Sequence, residues 1–475
     1  MKPRRALFVV VIVVLLVVAV LVGNAKASKP APAAQPASAS TLDGGDVWFC
    51  PGLPPSLRAG DGRITFANTG STPANIAITV LADKVAPTHQ TLTVAANTVV
   101  AKHRTDLGPA GALTIETFGG QVAIEEGLDG PSGLESTPCA SRTAATWQFA
   151  AGTTLRGVQQ WLVIENPYAS DAKVDITLRT SDAVRRPESL QGMDVTRRSR
   201  VVVPIHDLAV RIDHVAVQVS ARLGEVVAAQ TLVYTADSGT PGVATTLGAT
   251  DASDHWTFAE GANLTDTESW VALANVGGAD TQVTVQVLGE KNLQLRPTTV
   301  PLPQDGVVWV QLGHCAPKDA ACVNIPGGTR YGLDVRADQG MRIVAQEIER
   351  LNDSPAGSGA TTSLGFTNSA TSWVFARSRA DVSHGSSLAL LNSLAQNVTV
   401  NVALVRDGQV IRSKELQHLV IPGGHRSSLT VVRGDAKRAS PIAAVLVEAS
   451  APVVVERQMA GDTDVSRSVG VAVGG

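Results

Sequence analysis

Few residues of this 475-residue chain have the type and spacing that chemistry requires. Nine histidines stand singly: His89, His103, His206, His214, His255, His314, His384, His418 and His425. No two fall at i, i+4 on a helical pattern, and none sits beside a paired Cys–Cys knuckle. His314-Cys315 with Cys322 lacks a fourth ligand and a paired spacing, so no metal is expected there. There is no Gly-x-Ser-x-Gly elbow and no phosphate-cradling Gly-x-x-x-x-Gly-Lys. Acid pairs such as Glu125-Glu126 have the residue type of a glycosidase pair, but sequence sets no separation between carboxylates. Trp161 and Trp270 hold the same position on the strand face opposite Leu162 and Val271. An outward Trp there can stack on a sugar ring, so both are glycan-contact candidates. Packing against a neighbouring repeat or under a loop is the competing and favoured role. The expectation is a non-enzyme with no cofactor and no metal.

The four cysteines have a different use. Cys50 and Cys139 lie at the start and end of one stretch, and Cys315 and Cys322 share one loop. Four cysteines allow three pairings. Only Cys50–Cys139 with Cys315–Cys322 keeps each bridge local, and such bridges belong to exported chains.

The elements that must position these residues come from a fourfold repeat. Its openings are Trp48-Phe49, Trp147-Gln148-Phe149, Trp256-Thr257-Phe258 and Trp373-Val374-Phe375, followed by Asn68, Asn166, Asn275 and Asn392 at offsets of 20, 19, 19 and 19. Eight, ten and twelve residues past each Asn lie Ile76/Ile78/Val80, Val174/Ile176/Leu178, Val283/Val285/Val287 and Val400/Val402/Leu404. Two positions before that Asn, and four before it, are apolar in every copy, so one face of that strand is buried. The Asn ends the strand, where an amide side chain can satisfy turn backbone. Asp407-Gly408 reads as a type I′ hairpin turn. Each copy closes on a strand with a small residue, an aliphatic and Gly, as in Thr246-Leu247-Gly248.

About seven short strands per copy, with turn signals every 8–12 residues, is the profile of an antiparallel β-sandwich. The expected fold is all-β: four tandem immunoglobulin-like antiparallel β-sandwich repeats after a single N-terminal transmembrane helix. The expected boundaries are 46–140, 141–250, 251–368 and 369–475, with small interfaces between quasi-independent units.

Ahead of the repeats, Lys2, Arg4 and Arg5 precede an uncharged Val/Leu-rich run, Ala6 to Gly23. As a helix it spans about 27 Å, near the hydrocarbon thickness of a bilayer. Residues 1–27 are therefore expected as a signal anchor with the bulk of the chain extracytoplasmic; cleavage near Ala27 is the alternative. Residues 28–45, rich in Ala, Pro and Ser, read as an extended linker. The formal charge of −3 gives no electrostatic case for nucleic acid. Arg185-Arg186 and Arg197-Arg198-Ser199-Arg200 are too short for a polyanion footprint and read as solvated edges.

Two segments carry a family resemblance. Trp256-Thr257-Phe258-Ala259-Glu260-Gly261 and Val453-Val454-Val455-Glu456-Arg457-Gln458-Met459 resemble the repeat of exported actinobacterial proteins grouped as domain-of-unknown-function family 5719. Asn166-Pro167 matches its Asn-Pro step. The resemblance implies an exported, membrane-anchored or surface protein and no activity. The motif Glu survives only as Glu260, against Ala151 and Arg377, and the first copy has Cys50-Pro51 in that region. The closing Glu-Arg survives only as Glu456-Arg457, against Glu125-Glu126, Gln230-Thr231 and Gln346-Glu347. Such drift argues against a catalytic acid; the Glu and Arg are expected as exposed structural pairs near domain ends.

The functional expectation is a membrane-anchored extracytoplasmic structural or interaction protein of the cell envelope, non-catalytic. Its partners would be the membrane, through the N-terminal helix, and an envelope protein or glycan. The alternative is a glycan-binding accessory factor of cell-envelope polysaccharide assembly.

Overall fold

The structure is a computed structural model describing residues 37–475 apart from 43–44, 83–84, 291–292, 294, 317–320, 355–356, 380–384, 433–441, 462–463 and 474–475. The expected membrane helix and most of the linker lie outside the described residues. Among the described residues no helix is long and apolar enough to cross a membrane.

Alternation of apolar and polar residues produces an all-β body of several antiparallel sheets. Its one α-helical stretch among the described residues is the single turn Ile205–Leu208. The first repeat shows the plan. One sheet runs in the order Val47–Cys50, Gly111–Phe118, Ala74–Ala82, Thr88–Val94, and the other Thr98–His103, Gly62–Asn68, Val122–Gly130, Gly133–Pro138. Ile64 and Phe66 from one sheet and Ile76, Ile78 and Val80 from the other close a single core around Trp48. The second and third repeats follow the same plan. In the fourth, Ile442–Ala460 is one long strand whose first half pairs with Ala370–Arg379 and Val398–Arg406, and whose second half crosses to Ser386–Asn392 and Val465–Val469.

The opening tryptophans are buried at 0–2% exposure, and three donate their indole N–H to the same carbonyl position: Trp147 to Val226, Trp256 to Ile343 and Trp373 to Val453. The Trp48 Nε1 has no such partner among the described residues. The four asparagines form identical corners. In each, Nδ2 donates to the carbonyl four residues on and to one 26–29 residues on, while Oδ1 accepts the N–H two residues on. Only an amide supplies both donor and acceptor in that geometry. Asp407 and Gly408 both have positive φ, as a type I′ turn demands.

The repeats are not beads on a string. The last strands Gly133–Pro138, Gly242–Leu247, Gly357–Leu364 and Val465–Val469 are each the edge of a sheet. Each packs on the last strand of the repeat before and after it, and the fourth packs on the first. The four edges thus bury one another around a common centre, where an open edge would otherwise expose unpaired backbone. Small residues allow the approach: a Cβ on Gly242 would lie 2.5 Å from the Ala360 amide nitrogen. The cores are continuous around the same circle. Val374 and Ala376 of the fourth repeat join the first core, Phe49 and Ala140 the second, Ala150 and Tyr234 the third, and Ala259 and Phe366 the fourth. The end of the expected linker docks as well: Ala37, Ser38 and Leu42 are buried, and Ser40 donates to the Ala472 carbonyl at 3.0 Å.

Candidate functional site: the junctions between repeats

Just past the Trp-x-Phe of a repeat, the strand either ends, as at Phe149, or breaks register, as after Phe258 and Phe375, which leaves backbone N–H groups outside its own ladder. The next repeat in the circle caps them. The Gln346 Oε1 accepts from Ala150 and Ala151 at 3.1 and 3.2 Å, and the Glu456 Oε2 accepts from Ala259 and Glu260 at 2.7 Å each. The Glu125 Oε1 of the first repeat accepts from Ala376 of the fourth at 2.7 Å, which closes the ring. These are the positions that drift between Glu and Gln in sequence. What they hold constant is a side-chain oxygen that accepts from one or two amides, and either residue provides it. In the first repeat the motif region holds Pro51, which has no N–H to give to the fourth position, Gln230. Its amide turns inward instead, bonding the Ala151 carbonyl and the Gln160 side chain.

Around these caps lie ion pairs whose placement corrects the expectation of exposed pairs. Arg457 and Glu125, 2.8 Å apart, are both fully buried. Arg457 also donates to the carbonyls of Ser136 and Arg377 and to the Ser468 hydroxyl. Arg377 reaches Asp129 at 2.5 Å and the Leu128 carbonyl at 3.1 Å. At the next junction Arg426 pairs with Glu260 and Glu290, and Arg467 with Glu347 and Glu349. The physical reason is location. These side chains leave domain ends, but those ends meet another repeat rather than water. Small interfaces are corrected on the same grounds. Removing one partner of a buried pair costs far more than removing one of an exposed pair.

Where the four last strands converge, Glu135 and Asp464 are buried among hydrogen-bond donors. The Glu135 of the first repeat accepts from the Ser136 amide, the Ser466 hydroxyl of the fourth repeat and the Thr245 amide of the second, at 2.8–3.2 Å. Asp464 accepts from Leu134 and Val465. Burial pushes Glu135 up to about 8 and Asp464 up to about 7. Burial likewise raises Glu347 to about 8 and Glu456 to about 7, the first opposed by Arg467 and the second by its hydrogen bonds. No group of three or more metal-ligating side chains occurs among the described residues.

The two glycan-contact candidates are half-buried and not brought together. Trp161 meets the His206 ring edge-on at 4.8 Å. Trp270 tilts against Trp309 at 6.2 Å, and His214 of the second repeat stacks on Trp309 at 4.5 Å. That aromatic contact joins the second and third repeats. Trp309 had no repeat partner to flag it in sequence. Both disulfides are present as paired above, Cys50–Cys139 across 89 residues and Cys315–Cys322 across 7. They mark an extracytoplasmic setting.

An all-β body of sandwich-like sheets joined by buried polar junctions defines a class by architecture alone. The chain belongs to the family of unknown function DUF5719, whose model matches residues 109–417. No curated protein matches it. Solved structures with some likeness include Thermotoga maritima 1070, at 13% identity over 24% of this chain and 94% of that one, with a TM-score of 0.20. Another is a tetra-tandem repeat from the extending region of a large adhesion protein, at 12% identity over 90% and 100%, TM-score 0.11. A third is the Streptomyces avermitilis alpha-L-rhamnosidase complexed with L-rhamnose, at 7% over 82% and 54%, TM-score 0.12. At these scores none bears on fold or function.

Proposed function

We propose that this chain is a membrane-anchored, non-catalytic structural or interaction protein of the cell envelope. Its four repeats are immunoglobulin-like sandwiches that act as one block rather than as a flexible string. The observation that carries the reading is the closure of the fourth repeat on the first through Arg457, Glu125 and the Ala376 amide. Fully buried charges at that junction hold the two ends of the exported part together, which suits a rigid platform and serves no evident catalytic end. The disulfides and the apolar N-terminal run support an extracytoplasmic, anchored location. A glycan-binding role would rest on Trp161, since Trp270 leans on Trp309.

The test is fractionation of intact cells combined with labelling by a membrane-impermeant amine reagent. The expected result is a labelled protein in the membrane fraction. An unlabelled protein in the cytosol would end the proposal. A cell-wall glycan array that binds the protein, and loses binding in Trp161→Ala, would replace it with the glycan reading.

A further inference from the structure

The junction between the first and second repeats departs from the other three, and the departure leaves a cavity. Where the other copies continue as Trp-x-Phe-Ala, the first reads Trp48-Phe49-Cys50-Pro51-Gly52. Its strand stops at Cys50, pinned to Cys139, and the chain swings out through Leu53 to Arg58. Sites where one copy breaks a rule that its siblings keep are where function is expected. Behind the loop lies a cavity of about 250 Å³. Leu53, Leu57 and Pro109 give it apolar walls, and its charged lining is Arg58, Arg104 and Arg200, with no carboxylate.

The arginines are held in place from behind. Arg200, from the second repeat, donates to the carbonyls of Pro51 and Leu53 at 3.1 and 3.2 Å. The Arg104 Nε lies 3.3 Å from Glu126, its Nη2 donates to the Gly111 carbonyl at 2.5 Å, and its buried Nη1 has no hydrogen-bond partner among the described residues. Two carboxyls stand behind the floor. Glu126 accepts the Gly52 amide at 2.9 Å and Glu165 accepts the Thr114 hydroxyl at 3.3 Å. Burial raises both above the usual carboxylate range, Glu165 the more strongly. Three arginines and no carboxylate thus line the cavity, within apolar walls.

We infer that this cavity binds a small organic oxyanion, a phosphate or carboxylate carried on a short apolar body. Guanidinium groups recognise such oxygens through charge-assisted, often paired hydrogen bonds, and an apolar cleft with a few convergent polar groups is the usual form of a small-molecule site. The site is independent of the envelope role proposed above.

Calorimetric titration of the full chain in neutral detergent tests it, with phenyl phosphate, benzoate and phenol as probes. Phenyl phosphate or benzoate should bind saturably, and phenol at least about tenfold more weakly. Ala110→Trp fills the cavity from an exposed lining position, leaves the buried charges alone and should weaken binding at least about tenfold. Arg58→Ala should weaken it about three- to tenfold. Dioctanoyl phosphatidic acid separates the sources: tighter binding than phenyl phosphate assigns the oxyanion to a lipid headgroup, equal or weaker binding to a free metabolite. The inference is overturned if neither oxyanion saturates below about 10 mM, if phenol binds equally well, or if Ala110→Trp and Arg58→Ala both leave affinity unchanged.

Discussion

Replacing Arg457 by Met removes the central cation of the junction that closes the ring. Glu125 would keep its bonds from the Ala376 amide and the Ser136 hydroxyl, at 2.7 and 2.6 Å, but lose the guanidinium that pairs with it. Neutralising a glutamate at pH 7 costs about 3–4 kcal/mol, which bounds the penalty for stranding it. The carbonyls of Ser136 and Arg377 and the Ser468 hydroxyl also lose a donor, at about 0.5–1.5 kcal/mol each. Met refills the volume of the aliphatic stem but not the guanidinium that lies 5.3 Å over the Phe375 ring, so no large cavity adds to the sum. The sum is about 4.5–8.5 kcal/mol, a large part of the roughly 5–15 kcal/mol that holds a domain folded. Urea unfolding followed by tryptophan fluorescence measures it. Hydrogen exchange locates it, with the first loss of protection expected in 133–138 and 465–469. Glu125→Leu combined with Arg457→Met should be less destabilising than Arg457→Met alone, by at least about 2 kcal/mol, because no charge is stranded. A single-mutant loss below about 1 kcal/mol, or strictly additive effects, would refute the reasoning.

Three further outcomes follow from the same contacts. Glu135, Asp464, Glu347 and Glu456 have folded pKa values of about 7–8 against ordinary values of 3.8–4.5, so the folded state holds protons that the unfolded state has released. Their cost to stability is absent below about pH 4, grows as pH rises and is complete above about pH 8, so Tm should fall between pH 6.5 and 8; Glu135→Gln should flatten that fall, and a Tm rising over this window would exclude it. Trp256→Ala should cost about 3–5 kcal/mol, and calorimetry should show the whole body melting earlier as one transition, not the third repeat alone. Asn166→Asp should be at least as damaging as Asn166→Ala, about 2–4 kcal/mol, because a carboxylate cannot donate to the Ser170 and Val195 carbonyls; equilibrium unfolding showing Asp tolerated would break the corner argument.

The parts legible in sequence are those in which one residue type does one local job in every copy. The indoles of Trp147, Trp256 and Trp373, the amide corners from Asn68 to Asn392 and the apolar strand faces all depend on partners within their own repeat, so their spacing recurs. The disulfides were legible because few pairings exist. The junctions were hidden for a physical reason. Glu456 meets Ala259 across 197 residues, and Arg457 meets Glu125 across 332. Their sequence variation looked like relaxed constraint because the shared property is an acceptor oxygen, common to Glu and Gln, rather than a charge. The small residues of Thr246-Leu247 and Ser363-Leu364 were visible as a motif, but their purpose, four edges meeting at one centre, exists only when all four repeats are assembled.

The account stands on the fourth repeat closing on the first. Ser136 and Ser466 face each other across that junction, the Ser136 amide lying 3.1 Å from the Ser466 hydroxyl. Replacing both by Cys in the full chain and oxidising mildly tests the contact directly, with peptide mapping to confirm that Cys50–Cys139 and Cys315–Cys322 persist. A closed ring predicts a 136–466 bridge within one chain, formed at concentrations too low for collision between molecules. If 136 and 466 stay reduced, or bridge only between two chains as concentration rises, the ring is not closed.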